Sequence, residues 1–169
     1  MSELRTNKIY PRDGLPIGAS GGGIVQVVQE IFTTVSTVTS TSFADVGLSA
    51  SITPTSSSNK ILVIGDISSS GSDANYTMFQ LVRDSTNIYR GTSSKTHIGS
   101  KVWYPRSNSN TDGNSIGNTN LFFLDSPATT SAVTYNIQMR VTANSSVING
   151  RIADDTSVAS SITLMEVSG

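Results

Sequence analysis

Side chains that carry acid–base or nucleophilic chemistry are scarce in this sequence of 169 residues, which contains one histidine, no cysteine, three glutamates and four lysines. Catalytic proton transfer needs a titratable group in a perturbed environment, and His97 is the sole imidazole available for it. Because the sequence has 29 serines, finding serine, histidine and aspartate together is no sign of a catalytic triad. We therefore expect a protein that is not an enzyme, with no catalytic residues, no metal ligands and no cofactor.

Acidic residues also give little support for chemistry. Glycosidases of the two-carboxylate type need paired acidic residues, and the sequence has one adjacent pair, Asp154 and Asp155. Neighbours on an extended chain point to opposite faces, so this pair is better explained as part of a turn. The stretch 110–114 is rich in oxygen ligands and contains Gly113, but it lacks the closing acidic residue of an EF-hand. We expect a solvated loop tip there.

Two aromatic residues stand directly before the longest polar loop, which covers 105–114. Aromatic rings beside amides, carboxylates and a guanidinium suit sugars, because CH groups stack on rings while polar side chains bond to hydroxyl groups. The alternative for Trp103, the sole tryptophan, is a buried structural role. The candidate ligand-binding residues are Trp103, Tyr104, Arg106, Asn108 and Asp112.

Composition argues against several partners. A net charge of -1 provides no basic surface for a phosphate backbone, so we expect no nucleic acid partner. No run approaches the roughly 20 apolar residues that cross a bilayer, so we expect no membrane partner. Serine and threonine make up about 29% of the chain, so its polarity comes from hydroxyl groups, and two N-x-S/T sequences at Asn75 and Asn144 are expected by chance.

Residues 1–23 differ from the rest of the chain. They are rich in proline and glycine and show no period of 2 or 3.6, but they keep several large apolar side chains. The alternatives are a disordered tail and an extended anchor that docks on another protein, followed by a glycine hinge. The candidate anchor residues are Leu4, Arg5, Ile9, Tyr10, Arg12 and Leu15.

Residues 24–169 have the pattern of a strand-rich head domain. Short β-branched runs alternate with turn residues at intervals of about 8–12 residues, and no run of ten or more residues has a helical period. This pattern predicts an all-β fold, a jelly-roll-like antiparallel β-sandwich. The predicted strands are 24–38, 42–46, 50–53, 60–67, 76–82, 87–89, 96–104, 120–124, 133–142, 147–149 and 161–167.

Alternation predicts the core. In 135–141 every odd position is apolar and every even position is polar, which places Tyr135, Ile137, Met139 and Val141 on one buried face. The run 61–64 is apolar on both faces, which favours a second sheet or a contact between subunits. The other predicted core residues are Met78, Phe79, Leu81, Val82, Ile162, Leu164, Met165 and Val167.

Several segments carry a resemblance to a known class of proteins. The leader LRTNKIYPRDGLP at 4–16 is followed by GGGIVQV at 21–27. The body contains SITP at 51–54, NKILV at 59–63, SPATTS at 126–131 and ITLMEV at 162–167, in that order. Together these segments resemble small fibre and decoration proteins on the virion surface of tailed bacteriophages, cyanophages in particular.

The resemblance implies a viral structural protein with an N-terminal peptide that plugs into a capsid or tail, a glycine joint and a β-sandwich head displayed outward, commonly as a trimer. Such a protein is assembled in the host cytoplasm and found on the virion surface. The alternative function is a receptor-binding module that uses Trp103, Tyr104 and the following loop to attach to a host surface glycan. A polysaccharide depolymerase is the third alternative, and the short chain with few acidic pairs argues against it.

Overall fold

The computed structural model describes residues 23–72, 75–92, 95–104, 115–151 and 155–169. Within these ranges every regular element is a β-strand, and the eleven strands form two antiparallel sheets. The strands are β1 (Ile24–Phe32), β2 (Ser36–Val38), β3 (Ala44–Ile52), β4 (Lys60–Gly71), β5 (Thr77–Arg83), β6 (Thr86–Tyr89), β7 (Lys101–Trp103), β8 (Gly117–Asp125), β9 (Val133–Val141), β10 (Ser146–Ile148) and β11 (Ser160–Val167).

The strand order is that of a jelly roll. In sheet A the order is β1, β11, β4 and β8. Beside the last residues of β4, β10 continues the line of β11 and β2 continues the line of β1. In sheet B the order is β3, β9 and β5, and then β6 and β7, which pair with successive parts of the same edge of β5. If each extended pair counts as one strand, the chain-order numbers are 1-8-3-6 in sheet A and 2-7-4-5 in sheet B. This order confirms the predicted jelly-roll-like sandwich.

The core lies between the two sheets and follows the predicted alternation. All four odd residues of the 135–141 run are fully buried, and so are Phe79 and Leu81 of the neighbouring strand β5. In β4 the inward residues Ile61 and Val63 are fully buried, whereas Leu62 and Ile64 are half-buried on the outer face. The core therefore takes one face of each sheet, and the second apolar face of β4 points away from it.

Two details of the last strand and of β5 differ from the prediction. Ile162 and Leu164 face the core, but Met165 and Val167 lie half-buried on the outer face of sheet A, because successive side chains in a strand alternate. Met78 and Val82 are buried on the outer face of sheet B. Met78 is covered by the segment 95–100, which crosses that face at Gly99.

The same segment explains why the predicted strand 96–104 shortens to β7. Arg140 donates a hydrogen bond from Nη2 to the carbonyl oxygen of Thr96 at 3.1 Å. The backbone NH of Ser100 donates to the carbonyl oxygen of Phe79 at 2.6 Å, and its hydroxyl donates to the carbonyl oxygen of Tyr89. These bonds hold 95–100 against the sheet as a covering loop, so the regular ladder begins only at Lys101.

The predicted strand 24–38 is divided into β1 and β2 around the side chain of Asn149. Its amide nitrogen donates to the carbonyl oxygens of Phe32 at 2.8 Å and Thr34 at 3.2 Å. Its amide oxygen accepts from Ser160 at 2.6 Å. A fully buried asparagine therefore replaces ladder bonds at the point where β1 gives way to β2 and the neighbouring β10 gives way to β11.

Gly47, predicted as a break, lies inside β3 at a register shift and has a φ of 90°. A Cβ at this position would lie 2.9 Å from the ring of Phe32. Glycine therefore allows both the bulge and the packing of Phe32 on the backbone.

A partly buried, hydrogen-bonded ion pair joins the two sheets. Asp125 at the end of β8 accepts from Arg83 Nη1 of β5 at 2.6 Å and from the hydroxyl of Tyr135 of β9 at 2.7 Å, all through Oδ2. Burial and the hydrogen bond to Asp125 raise the pKa of Tyr135. The pKa of Arg83 is also raised, because the bond and the charge of Asp125 outweigh burial.

Glu166 is a fully buried carboxylate held by neutral donors. It accepts from the amide of Asn59 at 2.6 Å, from the amide of Gln26 at 2.5 Å, and from the backbone NH and hydroxyl of Thr55 at 2.7 and 2.8 Å. Burial opposes ionisation, but these hydrogen bonds outweigh it and lower the pKa of Glu166 from 4.5 to about 2. This network ties β1, β11 and the loop before β4 together.

We predict that Glu166→Gln lowers the free energy of unfolding by about 2 kcal/mol at neutral pH, because an amide offers fewer acceptor sites to the same donors. The folded pKa lies below the unfolded value of 4.5, so the contribution of ionised Glu166 is complete above that pH and is lost as the pH falls towards 2. Denaturant unfolding at several pH values should show the difference between the two proteins shrinking over this window.

The matched control is Glu30→Gln, because Glu30 is exposed on the edge strand β1. Its free energy of unfolding should stay within about 0.5 kcal/mol of the wild type at every pH. A Glu166→Gln protein as stable as the wild type at neutral pH would contradict the prediction.

Candidate functional site

The two ends of the sandwich have different characters. The chain enters the sandwich at Gly23, whose backbone NH donates to the hydroxyl of Ser168 at 3.0 Å and whose carbonyl accepts from the backbone NH of Ser168 at 2.9 Å. This is the end where β4 begins and where Glu166 is buried. At the other end of β4, about 36 Å away at roughly 3.3 Å per residue, aromatic side chains gather. We call these the entry end and the aromatic end.

Trp103 lies between the sheets at the aromatic end. It ends β7 in sheet B, and its ring packs on the backbone of two glycines of sheet A. A Cβ at Gly117 would lie 2.5 Å from Trp103 Nε1, and a Cβ at Gly71 would lie 3.1 Å from Cζ3. Half-buried Trp103 also packs against the core. Its contacts match the structural alternative considered for it.

Tyr76, His97 and Tyr104 form a continuous stack of rings, which we call the aromatic stack. Tyr76 precedes β5 and Tyr104 follows β7, and the pairing of Thr77 with Trp103 brings the two tyrosines side by side. The ring centroids of Tyr76 and Tyr104 are 4.4 Å apart with an interplanar angle of 30°. The ring of His97 lies 3.8 Å from that of Tyr76 at 14°. His97 thus serves as a stacking ring.

Asn75 fixes the position of Tyr76. Its amide nitrogen donates to the carbonyl oxygen of Ser145 at 3.1 Å and to the hydroxyl of Ser146 at 3.0 Å. Its amide oxygen accepts from the backbone NH groups of Thr142 and Ala143 at 3.1 and 3.3 Å. Asn75 is fully buried, so this clamp holds the start of β5 on the turn between β9 and β10.

Both ends of the aromatic stack are exposed: His97 on one side of Tyr76, and on the other Tyr104, which keeps 43% of its surface accessible. Neighbouring Val102 is exposed to the same extent. A tyrosine ring that is fixed on one side by another ring and open elsewhere offers a stacking surface and a hydroxyl, which suits the CH groups and hydroxyls of a sugar. The arrangement suits binding of a polar ligand at the aromatic end.

An open cleft of about 520 Å³ lies beside the segment that carries His97. Nearby, the guanidinium carbons of Arg90 and Arg140 lie 5.4 and 5.2 Å from the ring centroid of Phe43. Sequence reasoning missed this cleft, because its walls come from segments with no distinctive pattern. The cleft is lined by Asn87, Ile88, Arg90, Gly91, Thr92 and Ile98.

The structure brings together some of the predicted site residues. Trp103 and Tyr104 are adjacent in sequence but take different roles, one inside the sandwich and one in the aromatic stack. Tyr76 and His97 were not predicted to join Tyr104, since only the pairing of β5 with β7 brings them close. The predicted residues that lie outside the described part of the chain are Leu4, Arg5, Ile9, Tyr10, Arg12, Leu15, Arg106, Asn108, Asp112, Asp154 and the loop tip 110–114.

Other candidate chemistry has ordinary structural partners. Asp155 accepts from Arg151 Nη2 at 2.6 Å in an exposed ion pair. Among the described residues, no three side chains of the histidine, cysteine, aspartate or glutamate type gather as a metal site would require. The part of the chain that the structure describes also contains no helix with the length and apolar character of a membrane span.

No protein-family model matches the chain, and no curated protein matches it.

We predict that Gly117→Ala lowers the free energy of unfolding by about 1–3 kcal/mol and changes the fluorescence of Trp103, because the new methyl group would overlap the indole ring. Trp103 is the sole tryptophan, so the emission spectrum reports on this ring alone.

The matched control is Gly91→Ala, where a Cβ would lie 3.6 Å from its nearest neighbours, at ordinary contact distance. Its emission spectrum should match that of the wild type. An unchanged spectrum and an unchanged stability in Gly117→Ala would show that the indole is not packed on Gly117.

Proposed function

We propose that this chain is a non-enzymatic structural protein of a bacteriophage virion, a tail or head fibre or a capsid decoration protein, that attaches through its N-terminal segment and displays the β-sandwich head. Its partners are capsid or tail proteins and further copies of the chain, and its location is the virion surface. The proposal rests on the sequence resemblance and on the polarity of the sandwich described above.

The observation that carries the proposal is that chain entry and the aromatic stack lie at opposite ends of the sandwich. Gly23 lies at the entry end, so attachment through the segment that precedes it directs Tyr104 away from the particle. The jelly-roll order also supports the proposal, because capsid proteins commonly use this architecture.

The stabilising interactions of the head suit such a role. The chain has no cysteine, so its durability depends on paired backbone and packed side chains. The buried polar side chains Glu166, Asn75 and Asn149 each bridge separate segments of the chain. A head held together by such hydrogen bonds needs no disulfides and therefore no oxidising compartment, in agreement with assembly in a host cytoplasm.

We predict that deletion of residues 2–17 abolishes incorporation into virions, because it removes the proposed anchor residues and leaves the sandwich intact. Purified particles of the parent phage and of the deletion mutant are compared by mass spectrometry for this protein. A particle carrying Val102→Thr, a change on the exposed head surface, should keep wild-type levels.

Circular dichroism and thermal unfolding of the purified deletion protein should match those of the full chain, which separates loss of attachment from loss of folding. Wild-type incorporation of the deletion protein, or absence of the full-length protein from parent particles, would contradict the proposal.

A second candidate function is binding of a host surface glycan, and the aromatic stack is the observation that favours it. Tyr104 is exposed at the end of the head opposite to chain entry, where a receptor would be met. The two functions are compatible, since one uses the entry end and the other uses the aromatic end.

We predict that the full-length protein binds a polysaccharide on a glycan array and that Tyr104→Ala weakens this binding by about tenfold, because it removes about 1 kcal/mol or more of ring stacking. Val102→Ala is the control, since Val102 is equally exposed and two residues away. Lack of binding at millimolar sugar, or equal loss in both variants, would leave only the architectural function.

A further inference from the structure

The outer faces of the two sheets differ in their central rows. On sheet B a hydrogen-bonded polar row crosses four of the five strands. Gln138 of β9 donates to Asp45 of β3 at 2.9 Å, Gln80 of β5 donates to Gln138 at 2.6 Å, and Asn87 of β6 donates to Gln80 at 3.1 Å. A polar outer face is the normal state of a sheet that meets water.

On sheet A the corresponding row is wholly apolar. The pairing of the strands places four residues in line across β1, β11, β4 and β8. The second row beside it is apolar on β4 and β8, with Ile64 and Phe122, and polar on β11 and β1, where Gln29 donates to the hydroxyl of Thr163 at 2.9 Å. Ile24 and Val167 lie at the end of the face. The four residues of the apolar row are Val27, Met165, Leu62 and Leu124.

These side chains are accessible to an unusual degree. Val27 is 53% exposed, Phe122 is 59% exposed and Leu124 is 49% exposed, and Ile24 at the end of the face is 62% exposed. Single exposed apolar residues are ordinary, but a contiguous apolar patch that crosses four strands marks an interaction site. We call this patch, which consists of Val27, Met165, Leu62, Leu124, Ile64, Phe122, Ile24 and Val167, the apolar face.

Charges frame the apolar face symmetrically along β4. Lys60 lies at one end of the outer face of this strand and Asp66 at the other, both exposed, with Leu62 and Ile64 between them. The midpoint of the four is Val63, which points into the core. One end of the face is therefore positive, the other is negative, and the centre is apolar.

We propose that the apolar face binds the same face of a second copy of the chain. The two copies are related by a two-fold axis that lies between their facing apolar faces and passes β4 at the level of Val63. This axis reverses the strand direction, so Lys60 of one copy lies over Asp66 of the other. Leu62 then packs on Ile64 of the second copy, and Leu124 packs on its Phe122. On the other half of the face, Val27 and Met165 lie over its hydrogen-bonded Gln29 and Thr163. An isologous contact requires such self-complementarity, and a surface that is positive at one end and negative at the other meets it.

The size of the face sets the strength of the pair. Four strands at a spacing of about 4.8 Å and seven residues at about 3.3 Å cover roughly 440 Å² in projection, before side-chain relief is added. Two copies then bury about 900 Å² or somewhat more, near the lower limit for specific interfaces. We expect a pair that dissociates at micromolar concentration in solution and that is favoured where copies are concentrated.

The pair adds a contact surface to the proposed function and does not depend on it, because purified protein without any particle forms it. It also differs from the trimer that the sequence resemblance implies. The chain mass is 17.8 kDa, so analytical ultracentrifugation separates monomer, dimer and trimer directly.

The decisive experiment is a charge-exchange cycle on the full-length protein. Lys60→Glu and Asp66→Lys should each weaken dimerisation by about tenfold, because each places like charges together twice in a two-fold pair. The double variant Lys60→Glu with Asp66→Lys should recover wild-type dimerisation. Within one chain the two positions are about 20 Å apart along β4, well beyond the screening length at physiological salt, so recovery reports a contact between copies.

A second arm tests the apolar contacts. Phe122→Ser with Leu124→Ser should give a monomer with an unchanged circular dichroism spectrum, since both side chains point outward from an edge strand. Val102→Ser is the control, because it removes an exposed apolar side chain from sheet B and should leave the dimer intact.

A wild-type protein that stays monomeric at about 100 µM, roughly a hundred times a micromolar dissociation constant, overturns the proposal and assigns the apolar face to another occupant. A trimeric mass overturns it as well. So does a dimer that survives loss of Phe122 and Leu124, or a double charge variant no better than the single ones. Dimerisation, loss in the serine variant and recovery in the double charge variant together establish the pair.

Discussion

Burial of apolar side chains between the two sheets is the constraint on which the rest of the structure depends. Side chains alternate along every strand, so a register shift of one residue would expose the core residues of β9 to water and bury Gln138 and Arg140 instead. Core packing therefore fixes the register of each strand. Register in turn decides which residues meet on the outer faces and at the two ends.

The polar row of sheet B and the apolar face of sheet A both follow from this register. Neither row is continuous in the sequence, because each takes one residue from each of four strands that are distant along the chain. Inward alternation alone would allow either chemistry on an outer face. The two faces differ in what lies over them. Water and the covering loop 95–100 lie over sheet B, whereas the apolar face of sheet A is open.

The fold class was predictable from the sequence because local alternation and turn residues carry the information. The 135–141 run shows this best, since its four predicted core residues are all buried. Loop 95–100 was not predictable, because its residues favour a strand locally and only bonds to Arg140 and Phe79 bend it over the sheet. The break between β1 and β2 was missed for the same reason, since Asn149, which bonds to the carbonyl oxygens of Phe32 and Thr34, lies more than a hundred residues away along the chain.

For the candidate site the sequence indicated one member, Tyr104. Tyr76 and His97 join it through strand pairing and loop placement, which a single sequence does not reveal. The structural role of Trp103 was one of the predicted alternatives, and Gly71 and Gly117 supply the space for its ring. Glu166 was not singled out, because a lone glutamate in an apolar strand has no sign of its four distant donors.

The buried clamp formed by Asn75 has a consequence for how the protein is produced. Asn75-Tyr76-Thr77 matches an acceptor sequence for oligosaccharide transfer, and its amide is fully enclosed after folding. In a eukaryotic secretory pathway the nascent chain passes the transferase before the sandwich closes, and a sugar attached at that moment would occupy the space of the turn at Ser145. Expression in bacterial cytoplasm avoids this modification, so Asn75 can hold the start of β5 on the turn between β9 and β10.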